Sequence, residues 1–165
     1  MMLVKRYDRT MLGRLYENQI CSAARALELV GERWSLLILR DALARGFTRF
    51  SQFQRSLDIA PNILARRLEG FVAAGIMEAR QHGAHRDHQS YHLTAKGLDL
   101  GPVLIALTLW GDKWAGPGPV WFEHKDCGGR LEQKLRCADC GATPEHDDIM
   151  VKRQTAATPE PEPGS

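Results

Sequence analysis

Four residues near the end of the chain are of the types, and at the spacing, that hold a metal ion. Two residues separate His124 from Cys127 and Cys137 from Cys140, and nine residues lie between the two pairs. Imidazole nitrogen and thiolate sulfur are donors that tetrahedral Zn²⁺ takes in structural sites. A glycine follows each pair and allows the tight turn that a chelating pair needs. The sequence therefore predicts a closed, structural zinc site in a small ribbon-like extension.

Two other interpretations of these cysteines stay open. The thiols could be unligated, or Cys137 and Cys140 could form a redox pair, although the surrounding sequence lacks the βαβ pattern typical of such pairs. The zinc-deaminase pattern is incomplete, because its glutamate and proline are missing. The sequence also contains no phosphate-binding glycine loop, nucleophile elbow or cleft-forming pair of carboxylates. We therefore expect no enzyme.

The positive charge of the chain is concentrated in its middle. The 165 residues carry a formal net charge of only +2, but residues 45–96 contain eight Lys or Arg against four Asp or Glu. A basic segment is what a nucleic-acid interface requires, although a solvated surface can look the same. No apolar run is long enough for a membrane span and the first residues lack the apolar core of a signal peptide, so we expect a cytoplasmic protein.

Apolar spacing predicts four helices in the first half of the chain. Residues 17–45 have helical periodicity interrupted at Gly31, which indicates two helices. Ser51 is the predicted N-cap of a short third helix. Pro61 suits the first position of a fourth helix, which is predicted to end at Gly75.

The pattern then changes to that of a β-hairpin followed by a long helix. The runs IMEARQ and SYHLT are strand-like and flank a polar loop. Thr94 is the predicted N-cap of the long helix, whose apolar residues cover more than one face and predict a dimer interface. After the linker GPGP, the chain is expected to form three regions. These are a DNA-binding and dimerisation domain (1–115), the zinc-ribbon-like extension (116–153) and a disordered tail (154–165).

This order of elements predicts a mainly α fold with a small β-hairpin, which is a winged helix-turn-helix. Its fourth helix would enter the major groove, and arginine and asparagine are side chains that bind base edges. The competing interpretation is an amphipathic bundle helix whose arginines face water. The residues expected to contact DNA are Arg49, Ser51, Asn62, Arg66, Arg67, His85, Arg86, His88 and Lys96. A metal site among the loop histidines is disfavoured, because their spacing does not bring imidazoles together in a hairpin.

Three segments of the chain resemble the HxlR-type regulators, which are winged-helix relatives of MarR proteins. They are CSAARALELVGERWSLLILRDAL, FSQFQRSLDIAPNILARRLEGFVAAGIM and YHLTAKGLDLGPVLIALTLWGDKW. The resemblance implies a homodimeric transcriptional regulator of a palindromic double-stranded DNA operator. It further implies a recognition helix over 61–75, a wing over 82–89, and dimerisation through the first helix and the long helix after the wing.

Cys21 stands where the resemblance implies a cysteine that senses electrophiles or oxidants in some members. Helix N-termini favour the thiolate form, whereas the alternative is a small buried side chain. We expect a repressor that responds to thiol stress or to a small-molecule effector. The alternative function is a protein-interaction module built from a winged helix and a structural zinc ribbon.

Overall fold

The computed structural model describes residues 21–81 and 89–152. The chain divides into two compact units with the boundary between Phe122 and Glu123, beyond the predicted domain end at residue 115. The predicted tail, 154–165, lies outside the described residues. Within the described part, no helix combines the length and apolar character needed to cross a membrane.

The first two helices confirm the predicted break at Gly31. Helix α1 spans Ser22–Val30 and α2 spans Ser35–Arg45. Gly31 is the C-cap of α1, and its N–H donates to the Leu27 carbonyl at 2.7 Å. A Cβ atom at Gly31 would lie 2.5 Å from the same oxygen. The apolar face expected on α1 is only partly buried, since Val30 is buried whereas Leu27 is 48% exposed. Helix α1 therefore keeps apolar surface towards solvent.

The next two helices form the helix-turn-helix pair. Helix α3 spans Phe50–Leu57 and α4 spans Pro61–Ala73, with proline at its first position as predicted. Asp58 ends α3 with φ +48°, a left-handed conformation that aspartate tolerates better than most residues. After α4 the chain turns at Gly75, whose φ of +67° suits glycine.

The predicted N-cap of α3, Ser51, is wrong. The N-cap is Arg49 and the helix begins at Phe50, two residues earlier than a Ser51 cap would place it, so Ser51 lies in its first turn. The side-chain Oε1 of Gln52 accepts hydrogen bonds from the backbone N–H of Thr48 at 3.0 Å and of Arg49 at 2.8 Å. Because the longer glutamine side chain reaches back to the N–H groups before the helix, a serine cap is not required.

The β-hairpin confirms the predicted change of period. Strand β1, Met77–Gln81, pairs antiparallel with strand β2, Gln89–Leu93, from Met77 opposite Leu93 to Gln81 opposite Gln89. A β-bridge joins Arg49 to Ser90, and the N–H of Tyr91 donates to the Thr48 carbonyl at 2.7 Å. The hairpin is therefore hydrogen-bonded to the backbone that leads into α3. Its loop, 82–88, lies outside the described residues.

The single long helix predicted after the hairpin is wrong, because two helices are present. Helix α5 spans Ala95–Leu98 and α6 spans Gly101–Trp114. Pro102 explains the break, since it has no N–H to donate to the Leu98 carbonyl and its ring would clash there in a continuous helix. The predicted cap of the first of these helices is confirmed, because the Thr94 hydroxyl accepts from the Gly97 N–H at 3.2 Å.

The core of the first unit fixes α4 against its neighbours. The largest fully buried apolar residues come from α2, α3, α4, the residue before β1 and the first residue of β1, and they are Ile38, Leu39, Phe53, Leu64, Leu68, Ile76 and Met77. Each such side chain contributes about 1.5–3 kcal/mol on removal from water. Tyr91 borders this core, where burial and then the charge of Glu69 raise the pKa of its phenol above the ordinary value.

The second unit contains little regular structure. In its described part, a β-bridge pairs Glu123 with Arg130 and a short 3₁₀ helix spans His146–Asp148. None of the residues described between 123 and 152 is buried. A hydrophobic core therefore does not hold this described segment together.

Candidate nucleic-acid interface and cysteine-rich turns

Helix α4 has one face in the core and one face in solvent. Leu64, Leu68 and Phe71 are buried. Asn62 and Arg66, four residues apart, are exposed. Residues at this spacing lie on the same side of a helix, so a groove that accepts α4 would meet both side chains together.

Arg67 does not share the environment of Arg66. Its Nη2 lies 3.0 Å from Oε2 of Glu32, and its side chain is only 13% exposed. The ion pair joins α4 to the turn between α1 and α2. Adjacent arginines of one helix thus point in different directions, one towards solvent and one towards the body of the protein. A DNA contact by Arg67 stays a prediction, and its observed contact is structural.

We expect Arg67→Ala to lower the free energy of unfolding by about 1–2 kcal/mol, because it removes both the ion pair and the packing of the aliphatic stem. Glu32→Gln removes only the charge and should cost less, about 0.5–1 kcal/mol. Urea denaturation followed by circular dichroism measures both effects. Unfolding curves for both variants that coincide with the wild-type curve would contradict this structural role.

The start of α3 contributes a second exposed surface. Arg49 and Ser51 are both exposed, as the predicted DNA contacts require, and Arg49 also forms the bridge to β2. Arg55, which was not among the predicted contacts, is exposed one turn after Ser51, and its Nε donates to the Ser51 carbonyl at 3.2 Å. The signal was present in the sequence, because residues four apart share a helix face.

Lys96 has an internal partner. Its Nζ donates to the carbonyl of Ala74 at 2.8 Å, immediately after the end of α4. A helix C-terminus carries partial negative charge and unsatisfied carbonyls, so it attracts an ammonium group. This contact lies at the opposite end of α4 from Asn62. The predicted phosphate contact of Lys96 stays a prediction.

The predicted wing residues His85, Arg86 and His88 lie outside the described residues. The strands that carry the wing are described up to Gln81 and from Gln89. On β1, Nε of Arg80 donates to Oε1 of Glu78 at 2.7 Å.

A pocket of about 260 Å³ lies beside the hairpin. It is lined by residues of both strands, by Ala42 of α2 and by the three residues 46–48 that follow α2.

Cys21 occupies the helix N-terminus that the sequence predicts. It is the N-cap of α1, and its Sγ accepts from the backbone N–H of Ala24 at 3.3 Å. The residue is exposed and its thiol is free. The interpretation of Cys21 as a small buried side chain is therefore wrong, and the thiol is accessible to a reagent.

The two predicted metal-ligand pairs form turns with the same backbone pattern. In the first turn, the His124 N–H donates to the Gly129 carbonyl and the Gly128 N–H donates to the His124 carbonyl, both at 2.8 Å. In the second turn, the Cys137 N–H donates to the Ala142 carbonyl at 2.8 Å and the Gly141 N–H donates to the Cys137 carbonyl at 3.0 Å. The glycines have φ of +68° and +73°. Each predicted glycine thus adopts a conformation that other residues disfavour.

The structure brings the predicted ligands together within each turn. His124 Nδ1 lies 3.3 Å from Cys127 Sγ. Backbone N–H groups of Cys140 and Asp139, and then the Cys140 side chain, lower the pKa of the Cys137 thiol. Within the described ranges 21–81 and 89–152, however, no three His, Cys, Asp or Glu side chains are grouped as a metal site. Zinc binding by all four residues stays a prediction.

The fold and the exposed face of α4 define a winged helix-turn-helix-like protein. A family model described as HxlR-like helix-turn-helix matches residues 29–119, which is more than half of the chain. The chain therefore belongs to the HxlR-like helix-turn-helix family. Its curated relatives are named transcriptional regulators, which are DNA-binding proteins and not enzymes.

Three similar proteins illustrate the match. An uncharacterized HTH-type transcriptional regulator of Mycobacterium tuberculosis is 38% identical over 147 residues, covering 87% of each chain. The crystal structure of PA1607, named as a candidate transcription factor, matches with a TM-score of 0.73 and 37% identity, covering 84% of this chain and 98% of that chain. The reduced form of the transcriptional regulator YodB from Bacillus subtilis matches with a TM-score of 0.50 and 29% identity, covering 61% of this chain and 99% of that chain.

The match to PA1607 is too long to be confined to the first unit. Residues 1–122 make up less than the 84% of the chain that the match covers. The similarity therefore extends into the segment that carries the cysteine-rich turns, which the family model does not reach.

Proposed function

We propose that this chain is a homodimeric repressor that binds a palindromic operator with α4 in the major groove and the hairpin wing on the backbone or minor groove. The observation that carries the proposal is the division of α4 into a face locked in the core and a face that exposes Asn62 and Arg66. Arginine and asparagine make bidentate contacts to guanine and adenine, respectively, in the major groove.

Helix α6 supports the dimer. It has no buried residue, although most of its side chains are apolar. Val103, Leu107, Trp110 and Trp114 are 51%, 48%, 60% and 67% exposed and recur at intervals of four, three and four residues. This interval matches the 3.5-residue repeat with which helices pack along a seam. We call these four residues the α6 stripe, and propose that it packs against the same stripe of a second copy.

A two-fold dimer suits a palindromic operator. Each recognition helix would enter one half-site, with the half-sites one helical turn of DNA apart. The exposed apolar residue Leu27 of α1 is a second element available to this interface. The expectation from the family resemblance, that the first helix and the helix after the wing form the dimer, agrees with this arrangement.

Fluorescence anisotropy with a labelled fragment from upstream of the gene tests the proposal. We expect tight binding at low salt, a Kd that rises steeply with salt, and competition by the same fragment but weak competition by unrelated DNA. Equal affinity for all sequences, or no binding at low salt with reduced thiols, would overturn it. If no DNA binds at low salt, the α6 stripe is better explained as the docking surface of a protein-interaction module.

We further propose that modification of Cys21 weakens operator binding. The thiol is free and exposed at the N-cap of α1, where a reagent can reach it. Treatment with N-ethylmaleimide joins the thiolate sulfur to a maleimide carbon, and the neighbouring carbon takes up a proton. We expect at least roughly tenfold weaker operator binding by the treated wild type, or about 1.4 kcal/mol.

The Cys21→Ser variant is the control. It should bind operator as the untreated wild type does and keep that affinity after treatment. A treated Cys21→Ser variant that loses affinity as the wild type does would assign the effect to another cysteine and contradict the proposal.

A further inference from the structure

We propose that the two cysteine-rich turns bind one Zn²⁺ ion through Nδ1 of His124 and the sulfurs of Cys127, Cys137 and Cys140. All four residues lie in the second unit, in two turns that repeat the same pair of backbone hydrogen bonds. Zinc binding by these residues does not depend on the proposed DNA-binding function.

The first turn already has the dimensions of a chelate. Zn–N and Zn–S bonds of about 2.0–2.1 and 2.3 Å at a tetrahedral angle place the two donor atoms about 3.6 Å apart. His124 Nδ1 and Cys127 Sγ are 3.3 Å apart. A small opening of this pair would therefore accommodate the ion without refolding of the turn.

A carboxylate lies near the other ring nitrogen of His124. Nε2 of His124 lies 3.7 Å from Oδ2 of Asp126. With Nδ1 on the metal, the Nε2–H group faces this carboxylate, and such outer partners set the tautomer and orientation of a ligating imidazole. Asp126, one of the two residues between these ligands, thus orients the imidazole in the proposed site.

The second turn presents two sulfurs at the same spacing as the ligands of the first turn. The Cys137 N–H donates to the Ala142 carbonyl at 2.8 Å and the Gly141 N–H donates to the Cys137 carbonyl at 3.0 Å, so the backbone closes around Cys137 and Cys140 as it does around His124 and Cys127. Gly141, at φ +73°, lets the chain turn tightly after the second sulfur.

The second unit also needs a source of stability. None of its residues described from 123 to 152 is buried, and its cysteines are free. Segments too short to build a core are usually held by disulfides, metals or oligomerisation. Because the described ligands are grouped only in pairs, zinc binding must draw the two turns together, and its binding free energy then becomes folding free energy.

Metal analysis of the purified full-length chain tests the proposal. We expect one zinc per chain by plasma mass spectrometry, and a Co²⁺-substituted form with the intense visible bands of a tetrahedral thiolate site. Cys137→Ser, Cys140→Ser and His124→Ala should each bind Zn²⁺ at least roughly tenfold more weakly in competition with a chromogenic chelator, and Asp126→Asn about tenfold more weakly.

Matched variants separate this site from other metal binding. His146→Ala, in the same unit, and Cys21→Ser, in the first unit, should keep full zinc content. A wild-type chain that binds no zinc under reducing conditions would overturn the proposal. So would zinc retained at wild-type affinity by Cys140→Ser, or a Cys137–Cys140 disulfide found by mass spectrometry in chain purified with zinc present.

Discussion

Arg66→Ala should weaken operator binding by about 1–3 kcal/mol while leaving the free energy of unfolding unchanged within about 0.5 kcal/mol. That loss is a roughly 5- to 150-fold higher Kd. The Arg66 side chain is exposed on the solvent face of α4, so its removal creates no cavity and breaks no internal contact that supports the core. Anisotropy titrations with operator DNA and urea denaturation give the two quantities.

The salt dependence of the Arg66→Ala variant assigns the contact. A base-edge contact would leave the slope of log K against log salt unchanged, whereas a phosphate contact would reduce it by about one. Arg33→Ala is the charge-matched control, because Arg33 is exposed before α2, outside the helix-turn-helix pair. Equal operator affinity of Arg66→Ala and wild type would remove α4 from the interface.

The neighbouring variant Arg67→Ala should show the opposite profile. Its ion pair with Glu32 connects two parts of the fold, so stability falls while folded protein loses less DNA affinity than Arg66→Ala does. The two adjacent substitutions therefore form an internal comparison in the same helix. Identical losses of DNA affinity would show that Arg67 leaves Glu32 on binding.

Leu107→Glu should convert the proposed dimer into a monomer and weaken operator binding by more than tenfold. In the dimer, Leu107 would face its counterpart in the middle of the α6 stripe, and burial of two unpaired carboxylates there costs several kcal/mol. A monomer binds a single half-site and loses the effective concentration that links the two half-sites. Light scattering after size exclusion measures the mass, and anisotropy measures the affinity.

Lys113→Glu is the matched control for the interface. It introduces the same glutamate in the same helix, at an exposed residue outside the α6 stripe, where Nζ lies over the Trp114 ring at 4.9 Å. We expect this variant to remain dimeric. A monomeric wild type at micromolar concentration, or a Leu107→Glu variant with wild-type mass, would show that α6 is not the dimer seam.

Local sequence rules predicted most of the secondary structure of the first unit. Gly31 separates α1 from α2, Pro61 begins α4, and Thr94 caps α5 because each depends on contacts within a few residues. The two strands could also be predicted from the sequence, since their short runs lie between strong turn signals. The glycines of the two cysteine-rich turns also have the conformation that their positions required.

Features that depend on three-dimensional contacts were not predicted. The partner of Arg67 is Glu32, 35 residues earlier, and periodicity on α4 carries no information about it. Lys96 donates to the carbonyl of Ala74, 22 residues earlier, and the charge of the segment carries no information about this contact. Two errors were local. Gln52 competed with Ser51 for the start of α3, and Pro102 breaks the helix that was predicted to continue after Thr94.

Helix α5 limits how far the end of α4 can move independently of α6. A Cβ atom at Gly97 would lie 2.3 Å from the Ile76 carbonyl oxygen, so the backbone of α5 is in direct contact with the residue that precedes β1. Lys96 and Thr94 add hydrogen bonds to the carbonyls of Ala74 and Gly75, just beyond α4. Only two residues separate α5 from α6. In a dimer built on α6, the distance between the two recognition helices is thus set by a short, hydrogen-bonded connection, and any event that rotates the paired α6 helices changes the operator spacing that the protein can span.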